Sequence, residues 1–474
     1  MEPLVLQGKK VLLLGLGLHG GGVSTARWLS KKGARVVVSD QKTRHELTSS
    51  LARLRACYGL SFVLGRHRKK DVAWADYVVV NPGVPADSEY VRYARSLGKP
   101  IYNEASLFFN RCRAYTIAVT GTRGKSTTAA YIAAMCEKKG KRVFLAGNIR
   151  TSFMLNVVDR ARAEDVVVLE LSSWQLEGLG IVQGAPDIAV VTNVMPDHLN
   201  RYRSLAHYYC SKKEIFKYQQ KKQILILNAA DKIVRGWQKE ACAKIYLFAT
   251  SNHRGSGAYA QRGRIFFSDQ HALMRQKPEL VADLRAFEGL GEHNVRNALA
   301  AVTAAKAFGA DSRVIRRVLK HPPQLPGRQQ ILGVWRGITI VNDTTSTTPE
   351  AGMAALARFR KPKKKIILIA GGADKKLLYR AWGRAVARTC KSVYLLSGDA
   401  SKKQRQSLGS YKNISVGHND LDAAVKLALQ DAVRGDVLLF SPAAASFNLF
   451  VHEFARGAVF EKAMRRHTDM RERS

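Results

Sequence analysis

The segment Thr116–Thr128, TIAVTGTRGKSTT, constrains the fold of this chain more than any other. Thr116–Val119 is β-branched and apolar, the composition of a buried strand. Gly121 and Gly124 interrupt it, and Lys125 to Thr128 leads into AAYIAAMCEKK, an alanine-rich run with helical spacing. Strand, glycine turn and helix start in that order gather backbone N–H groups and the positive end of a helix dipole around one point, which suits a polyphosphate. The candidate nucleotide ligands are Gly121, Thr122, Gly124, Lys125, Ser126 and Thr127. Lys125 brings a mobile positive charge to the terminal phosphates, and a hydroxyl from Ser126 or Thr127 can ligate Mg²⁺. A strict phosphate loop has glycine five residues before Gly124; Val119 stands there, so only the Gly-Lys-Ser/Thr half of the pattern is present.

A second unit of the same kind precedes it. Val11–Leu14 is strand-like, Gly15-Leu-Gly17-Leu-His-Gly20 follows, helical spacing begins by Val23, and Arg35-Val-Val-Val-Ser-Asp40 is a strand ending in an acid. This order is the dinucleotide-type arrangement, in which glycines let backbone approach a pyrophosphate and the acid bonds a sugar or ring. NAD and a uridine diphosphate group would use the same phosphate geometry, and the motif does not choose between them. Tyr77–Val80 is a further strand, and Asn81-Pro-Gly83-Val-Pro85 turns the chain at its end.

Beyond the central loop, apolar strands end in polar residues where a nucleotide site needs them. Val166–Leu169 ends at Glu170 within ELSSWQLE, and Ile188–Val191 ends at Thr192-Asn193, ahead of Pro196-Asp197-His198. A carboxylate at a strand tip suits Mg²⁺, which prefers oxygen ligands, and His198 is a softer donor. Lys212 and Lys213 in YYCSKKEIF have by themselves the pattern of a solvated helix face. Asn294 and Asn297 share a face near the start of a helix reaching Phe308, where their amides can read an adenine edge or cap the helix. His321-Pro-Pro-Gln-Leu-Pro-Gly327 is a linker candidate, and beyond it strands at Gly337–Asp343, Lys365–Gly372, Ser392–Leu396 and Asp436–Ser441 alternate with helical stretches.

At 474 residues the chain has room for about three domains of ~150 residues. The expected limits are 1–113, 114–323 and 324–474. No apolar run approaches the ~20 residues of a membrane span, and MEPLVLQGKK lacks a signal-peptide layout, so a cytoplasmic protein is expected. The six cysteines form no CxxC pair, which argues against a zinc ribbon or a disulfide framework and predicts reduced core thiols. The 77 Lys and Arg against 37 Asp and Glu give a formal charge of +40. Such a charge draws in anions and binds nucleic acid without sequence preference at low salt, but it is spread along the chain and names no nucleic-acid function.

With these motifs in place the chain resembles the Mur ligases over essentially its whole length. The motifs that carry the likeness run in family order: GTRGKSTT at Gly121, GNI at Gly147, ELSSWQLE at Glu170, DHLNRY at Asp197, GEHNVRNALAA at Gly291, PGR at Pro326, ND at Asn342, GGADK at Gly371 and SPAAASF at Ser441. ELSSWQLE and SPAAASF favour the D-glutamate-adding branch over the L-alanine and diamino-acid branches.

The resemblance implies three α/β domains: a Rossmann-like domain for a UDP-sugar, a central P-loop-type ATPase domain, and a Rossmann-like domain for an amino acid. It implies ATP-driven ligation of D-glutamate to UDP-N-acetylmuramoyl-L-alanine through an acyl phosphate, in peptidoglycan precursor synthesis, by a monomer. Lys125, Glu170, His198 and Lys212 would form the catalytic set. Two Mg²⁺ ions would be held by Ser126, Glu170, His198 and a carbamylated Lys212, whose register against Lys213 rests on Ile215-Phe216. Asn294, Asn297, Arg328 and Asp343 would hold ATP. Thr347, Lys375, Ser446 and an aromatic at Phe447 or Phe454 would hold D-glutamate, with domain closure bringing Lys375 and Ser446 to the phosphate loop. Gly17, Asp40, Lys42, Gly83 and Asn148 would face the UDP-sugar, and Ser172 and Gln175 complete the substrate side. The family uses no nicotinamide, so UDP rather than NAD is expected in the first domain. Departures are Arg150 after GNI, Thr345 where many members have lysine, and Glu453, which disturbs the register of the aromatic after Ser446. Two other readings stand beside this one: a Mur-type ligase for another amino acid, and, from charge alone, a nucleic-acid-dependent ATPase. A non-catalytic nucleotide-sugar binder is the third.

Overall fold

The computed structural model describes residues 3–137, 141–149, 152–197, 201–253, 255–271, 277–284, 292–362, 365–446 and 449–469. The apolar β-branched runs become three sheets. The first contains β1 (Lys10–Leu14), β2 (Arg35–Asp40), β3 (Leu60–Leu64), β4 (Tyr77–Val80) and β5 (Ile101–Tyr102), all parallel in the order β3-β2-β1-β4-β5. The second contains β6 (Tyr115–Thr120), β7 (Val143–Gly147), β8 (Val166–Glu170), β9 (Ile188–Val191), β10 (Ile224–Asn228), β11 (Lys244–Ala249), β12 (Gly257–Gln261), β13 (Arg264–Ser268) and β14 (Glu279–Asp283). Its order is β14-β13-β12-β11-β10-β9-β6-β8-β7, parallel from β7 to β12 and antiparallel across β12, β13 and β14. The third contains β15 (Gln330–Trp335), β16 (Ile338–Asn342), β17 (Ile366–Ala370), β18 (Cys390–Leu396), β19 (Ile414–His418) and β20 (Val437–Phe440). It runs β15-β16-β20-β17-β18-β19, with only β15 antiparallel to its neighbour.

Two connections escape sequence reading. β12–β13 and β15–β16 are hairpins closed by Arg262-Gly263 and Arg336-Gly337, with φ of 49° and 71°, and 48° and 79°. Positive φ at both central residues is the type I′ turn that matches strand twist, usually signalled by Asn-Gly. Arginine at the first position hides it.

In parallel sheets the crevice for ligands opens beyond the C-terminal strand ends where neighbouring connections diverge. β1 lies between β2 and β4, and β6 between β8 and β9, so these two strands carry the switch points. Gly15–Gly17 follow the first and Gly121–Gly124 the second.

The first two sheets belong to one compact unit, which extends to Pro322, and the third sheet to another, beginning at Pro323. One apolar core joins Leu13 and Trp28 to Phe108, Leu176 and Leu179, and a second, around Leu12, Leu14, Val72 and Val91, covers the other face of the first sheet. Polar contacts reinforce the first: Ser24 Oγ donates to Asn156 Oδ1 at 2.9 Å, and Lys32 Nζ meets Asp159 at 2.7 Å. Cys136 and Cys390 are buried, Cys57 and Cys112 are partly so, and Cys210 and Cys242 are exposed, which corrects the expectation of core thiols throughout. Cys210 lies on the outer face of the helix Leu205–Lys217. No helix among the described residues is long and apolar enough to cross a membrane.

The closest helix-to-loop approach in the first sheet falls at Gly22 rather than at the motif's third glycine. A Cβ there would lie 2.3 Å from the Leu16 carbonyl oxygen and 2.8 Å from both Gly15 O and Asn81 Nδ2. Gly22→Ala should therefore destabilise the protein by about 1–3 kcal/mol through overpacking. The urea midpoint reads this, and an unchanged midpoint would show that the helix can back away freely.

Candidate active site

The phosphate loop is built by distant strands as much as by its own glycines. β6 ends at Thr120, Gly121 has φ 149° and Gly124 φ 82°, and the helix Lys125–Met135 begins at once. The loop is clamped by the end of β9. Thr122 N–H donates to Asn193 O at 2.9 Å, Arg123 N–H to Asn193 Oδ1 at 2.9 Å, and Thr192 Oγ1 to Arg123 O at 2.7 Å. Asn228, ending β10, holds that clamp by donating from Nδ2 to Thr192 O at 2.8 Å. The Thr122 hydroxyl accepts from Met195 N–H at 3.0 Å and lies 3.1 Å from Tyr208 OH, so it braces the loop. Gly124 leaves room for Asn297, whose Oδ1 would stand 2.2 Å from a Cβ at that position. Asn297 is buried and Asn294, one turn earlier on the helix Glu292–Phe308, is half-buried. Ser126 is buried and Thr127 half-buried at the helix start.

Two lysines crowd one carbonyl. Lys125 Nζ donates to Gly121 O and Thr122 O, each at 3.1 Å, and Lys212 Nζ donates to the same Gly121 O at 2.9 Å. Lys212 is not on a solvated helix face, as its pattern suggested: it is 2% exposed and its ammonium lies 4.7 Å from the centre of the Tyr208 ring. Burial pulls its pKa down to about 6, the Lys125 charge acts in the same direction, and Asp197 opposes both. Lys213 turns outward to Glu240 at 2.6 Å, so Lys212 is the member of the pair that faces the loop.

Glu170, at the end of β8, is also buried rather than a solvated strand tip. Its Oε1 accepts weakly from Asn148 Nδ2 at 3.4 Å, and its backbone carbonyl accepts Asn148 N–H at 2.8 Å. Among the described residues Oε2 is buried with no hydrogen-bond partner. An orphaned carboxylate oxygen costs free energy unless something supplies positive charge or a donor. A divalent cation meets that requirement, with the Ser126 hydroxyl at the same loop. Among the described residues no group of three His, Cys, Asp or Glu side chains could hold a metal ion. His198 and Phe447 lie outside the described residues.

At the first switch point the acid has a different task from the one its motif suggests. Asp40 Oδ2 accepts the N–H groups of Leu16 and Gly17 at 2.7 and 2.8 Å, and Oδ1 accepts that of Lys42 at 2.8 Å. The carboxylate fastens the glycine loop. Lys42 itself pairs loosely with Glu46 at 3.5 Å, and Gly83 is exposed in its turn. That turn is tied to ELSSWQLE by Arg201, a residue the motif reading left without a role. Its Nη1 donates to Pro82 O at 2.7 Å, its guanidinium lies 4.6 Å from the centre of the Trp174 ring, and it meets Glu177 at 3.6 Å. Ser172 and Gln175 form a capping box on the short helix Ser173–Leu176, each side chain bonding the other's backbone N–H. They set the local backbone of that segment.

In the second unit the remaining candidates gather at C-terminal strand ends. Asp343 is buried, accepting from Ser441 Oγ at 2.7 Å and Gln329 N–H at 3.0 Å. Burial pushes its carboxyl up to about 7, against those hydrogen bonds and the charges of Arg328 and Arg358. Arg328 is exposed. Lys375 Nζ reaches Thr347 Oγ1 at 3.4 Å, and an Ala373–Ala445 bridge sets the Lys375 loop beside Ser446, whose hydroxyl is buried without a partner among the described residues. Phe454 is half-buried in the first turn of the helix Glu453–His467.

Comparison with known proteins agrees with this arrangement. Residues 9–103 match the Mur ligase MurD-like N-terminal domain, 119–305 the Mur ligase middle domain, and 327–444 the Mur ligase glutamate ligase domain. A UDP-N-acetylmuramoylalanine–D-glutamate ligase from Roseiflexus sp. (strain RS-1) is 37% identical over 98% of this chain and 100% of its own length. One of the same name from Acidobacterium capsulatum is 34% identical over 98% and 97%. Among solved structures, UDP-N-acetylmuramate-alanine ligase MurC of Thermotoga maritima has a TM-score of 0.58 at 20% identity, covering 97% of this chain and 99% of that one. MurF ligase of Thermotoga maritima in complex with ADP has a TM-score of 0.53 at 17% identity, covering 98% of each.

Gly124 joins a left-handed backbone to a close side-chain approach, so Gly124→Ala should displace Asn297 and weaken ATP and ADP binding by about tenfold or more. Titration with a fluorescent ADP analogue measures this. Unaltered affinity would mean that Asn297 and the loop conformation do not matter to the nucleotide.

Proposed function

The chain belongs to the Mur ligase family, and from that membership we propose that it is the ATP-dependent carbon–nitrogen ligase that adds D-glutamate to UDP-N-acetylmuramoyl-L-alanine in peptidoglycan precursor synthesis. The observation that carries this reading is the convergence, at the ends of β6 and β8, of the Lys125 loop, the orphaned Glu170 oxygen and the buried Lys212 amine. We assign 1–113 to the UDP-sugar, 114–323 to ATP and 324–474 to the amino acid. Both nucleotide substrates are cytoplasmic compounds, which puts the reaction there.

The chemical problem is that a carboxylate resists nucleophiles and has oxide as its leaving group. An oxygen of the L-alanine carboxylate attacks the γ-phosphorus, the bond to ADP breaks, and an acyl phosphate results. The neutral amine of D-glutamate then attacks the acyl carbon, phosphate departs with the electron pair, and the nitrogen loses a proton. Negative charge gathers in the first step, so donors and cations fixed beforehand do most of the work. The loop N–H groups and Lys125 meet the phosphate oxygens. Mg²⁺, held by Ser126, Glu170 and His198, would neutralise charge on the transferring group. Asn294 and Asn297 would lie against the adenosine, and Arg328 and Asp343 are the further ATP ligands of this reading. Thr347, Lys375, Ser446 and Phe447 or Phe454 would hold D-glutamate. Gly17, Lys42, Gly83 and Asn148 would face the UDP-sugar.

Lys212 fits the carbamate reading on physical grounds. Attack on CO₂ requires a neutral amine, and an amine so buried is neutral at pH 7. The carbamate would turn that neutral amine into a second anionic oxygen ligand beside Glu170.

Phosphate release by purified protein should require ATP, UDP-N-acetylmuramoyl-L-alanine and D-glutamate together. Release that ignores either acceptor, responds to a different amino acid in a panel, or rises with DNA or RNA would each overturn the assignment. Lys212→Ala should lower turnover by about 10²-fold or more and be partly rescued by acetate. Wild-type protein in ¹³C-bicarbonate should give a carbamate signal that the variant lacks; a variant with neither rescue nor a lost signal would remove Lys212 from the metal site.

A further inference from the structure

Arg456 is the largest charged side chain wholly inside the protein, 1% exposed on the helix Glu453–His467. All its hydrogen bonds go to neutral oxygens. Nη2 donates to Thr344 O at 2.8 Å, Nη1 to Ala444 O at 3.1 Å, and Nε to Thr344 Oγ1 at 3.4 Å. Burial lowers its pKa to about 10, with Glu453 and Asp343 acting in the opposite direction, so the guanidinium stays charged at neutral pH. A cation taken out of water without a hydrogen-bonded carboxylate is unfavourable for folding, and an apolar side chain would fill the space at less cost. Its retention points to a task at the neighbouring strand ends.

Those ends are fixed around it. Thr344 N–H donates to Asn342 Oδ1 at 3.1 Å, and Asn342 Nδ2 donates to Glu461 on the same helix at 2.9 Å. Gly457 permits the close approach, since a Cβ there would stand 2.6 Å from Thr344 Cγ2. On the other side Ala443 is left-handed at φ 53° and Ala445 pairs with Ala373, so Ala444 is held between two constrained residues directly before Ser446. Among the described residues the Ser446 and Ser346 hydroxyls are both buried without partners. One guanidinium thus spans the segment that follows β16 and the segment that follows β20, each carrying an unpaired hydroxyl two residues from a carbonyl it grips.

We propose that Arg456 is a positioning residue for the amino-acid substrate, locking Thr344 and Ala444 so that Ser346 and Ser446 face the D-glutamate carboxylates, and backing that pocket with a fixed positive charge. This rests on the D-glutamate reading above. Arg456→Lys keeps the charge but loses the forked geometry, and Arg456→Gln loses the charge. Arg456→Lys should raise KM for D-glutamate about tenfold, with KM for UDP-N-acetylmuramoyl-L-alanine within about twofold of wild type. Arg456→Gln should raise it further. A D-glutamate KM within about twofold of wild type in Arg456→Lys overturns the proposal, as does a parallel shift of both KM values with kcat. If Arg456→Gln fails to fold by thermal melting, Arg456→Lys alone decides. D-glutamate-dependent release by the wild type, run alongside, separates failure of this inference from failure of the functional reading.

Discussion

The Gly121 carbonyl accepts from two lysine side chains, and much of the site follows from how that crowding is relieved. Two ammonium groups at one oxygen repel each other strongly in a low-dielectric interior. Burial of Lys212 resolves the conflict by favouring its neutral form, which leaves Lys125 as the cation at the loop. The carbonyl can do this only because Gly121 adopts φ 149° and because Asn193 and Thr192 hold the rest of the loop from behind. A cation and a neutral amine therefore share one carbonyl without either being expelled to solvent.

Sequence reading reached this loop because its signals are local. A β-branched strand, two glycines and an alanine-rich helix all lie within one short stretch, and the same holds for Gly15–Gly20 and Asp40. Lys212 was different. Its helical spacing is that of a surface lysine, and only the docking of the helix Leu205–Lys217 against Tyr208 and the phosphate loop reveals the burial. Arg201 escaped for a related reason: its partners Pro82, Trp174 and Glu177 come from two other segments. The I′ hairpins at Arg262-Gly263 and Arg336-Gly337 were hidden by an unusual residue at a familiar turn.

The formal charge of +40 bears on encounter more than on architecture. Ion pairs such as Arg313–Asp311 or Lys402–Asp399 join exposed groups, and pairs of that kind contribute little to stability. The exposed excess of cations raises the local concentration of anions. Every substrate in the proposed reaction is an anion, so one diffuse field serves all of them, while selection among them falls to the strand ends.

Three acids at those strand ends make the general point. Asp40, Glu170 and Asp343 each terminate or follow a buried apolar strand, and in sequence they are the same signal. Asp40 spends both oxygens on backbone N–H groups of its own glycine loop. Glu170 keeps one oxygen buried and, among the described residues, without a donor. Asp343 is wholly buried and raised towards neutrality, bonded to Ser441 and Gln329. What separates them is the number of donors that the neighbouring segment brings: three for Asp40, two for Asp343, and one weak amide for Glu170. A carboxylate short of donors is the one best able to take a cation, so the hydrogen-bond deficit at Glu170, rather than the motif around it, is what supports the metal-ligand role proposed for it.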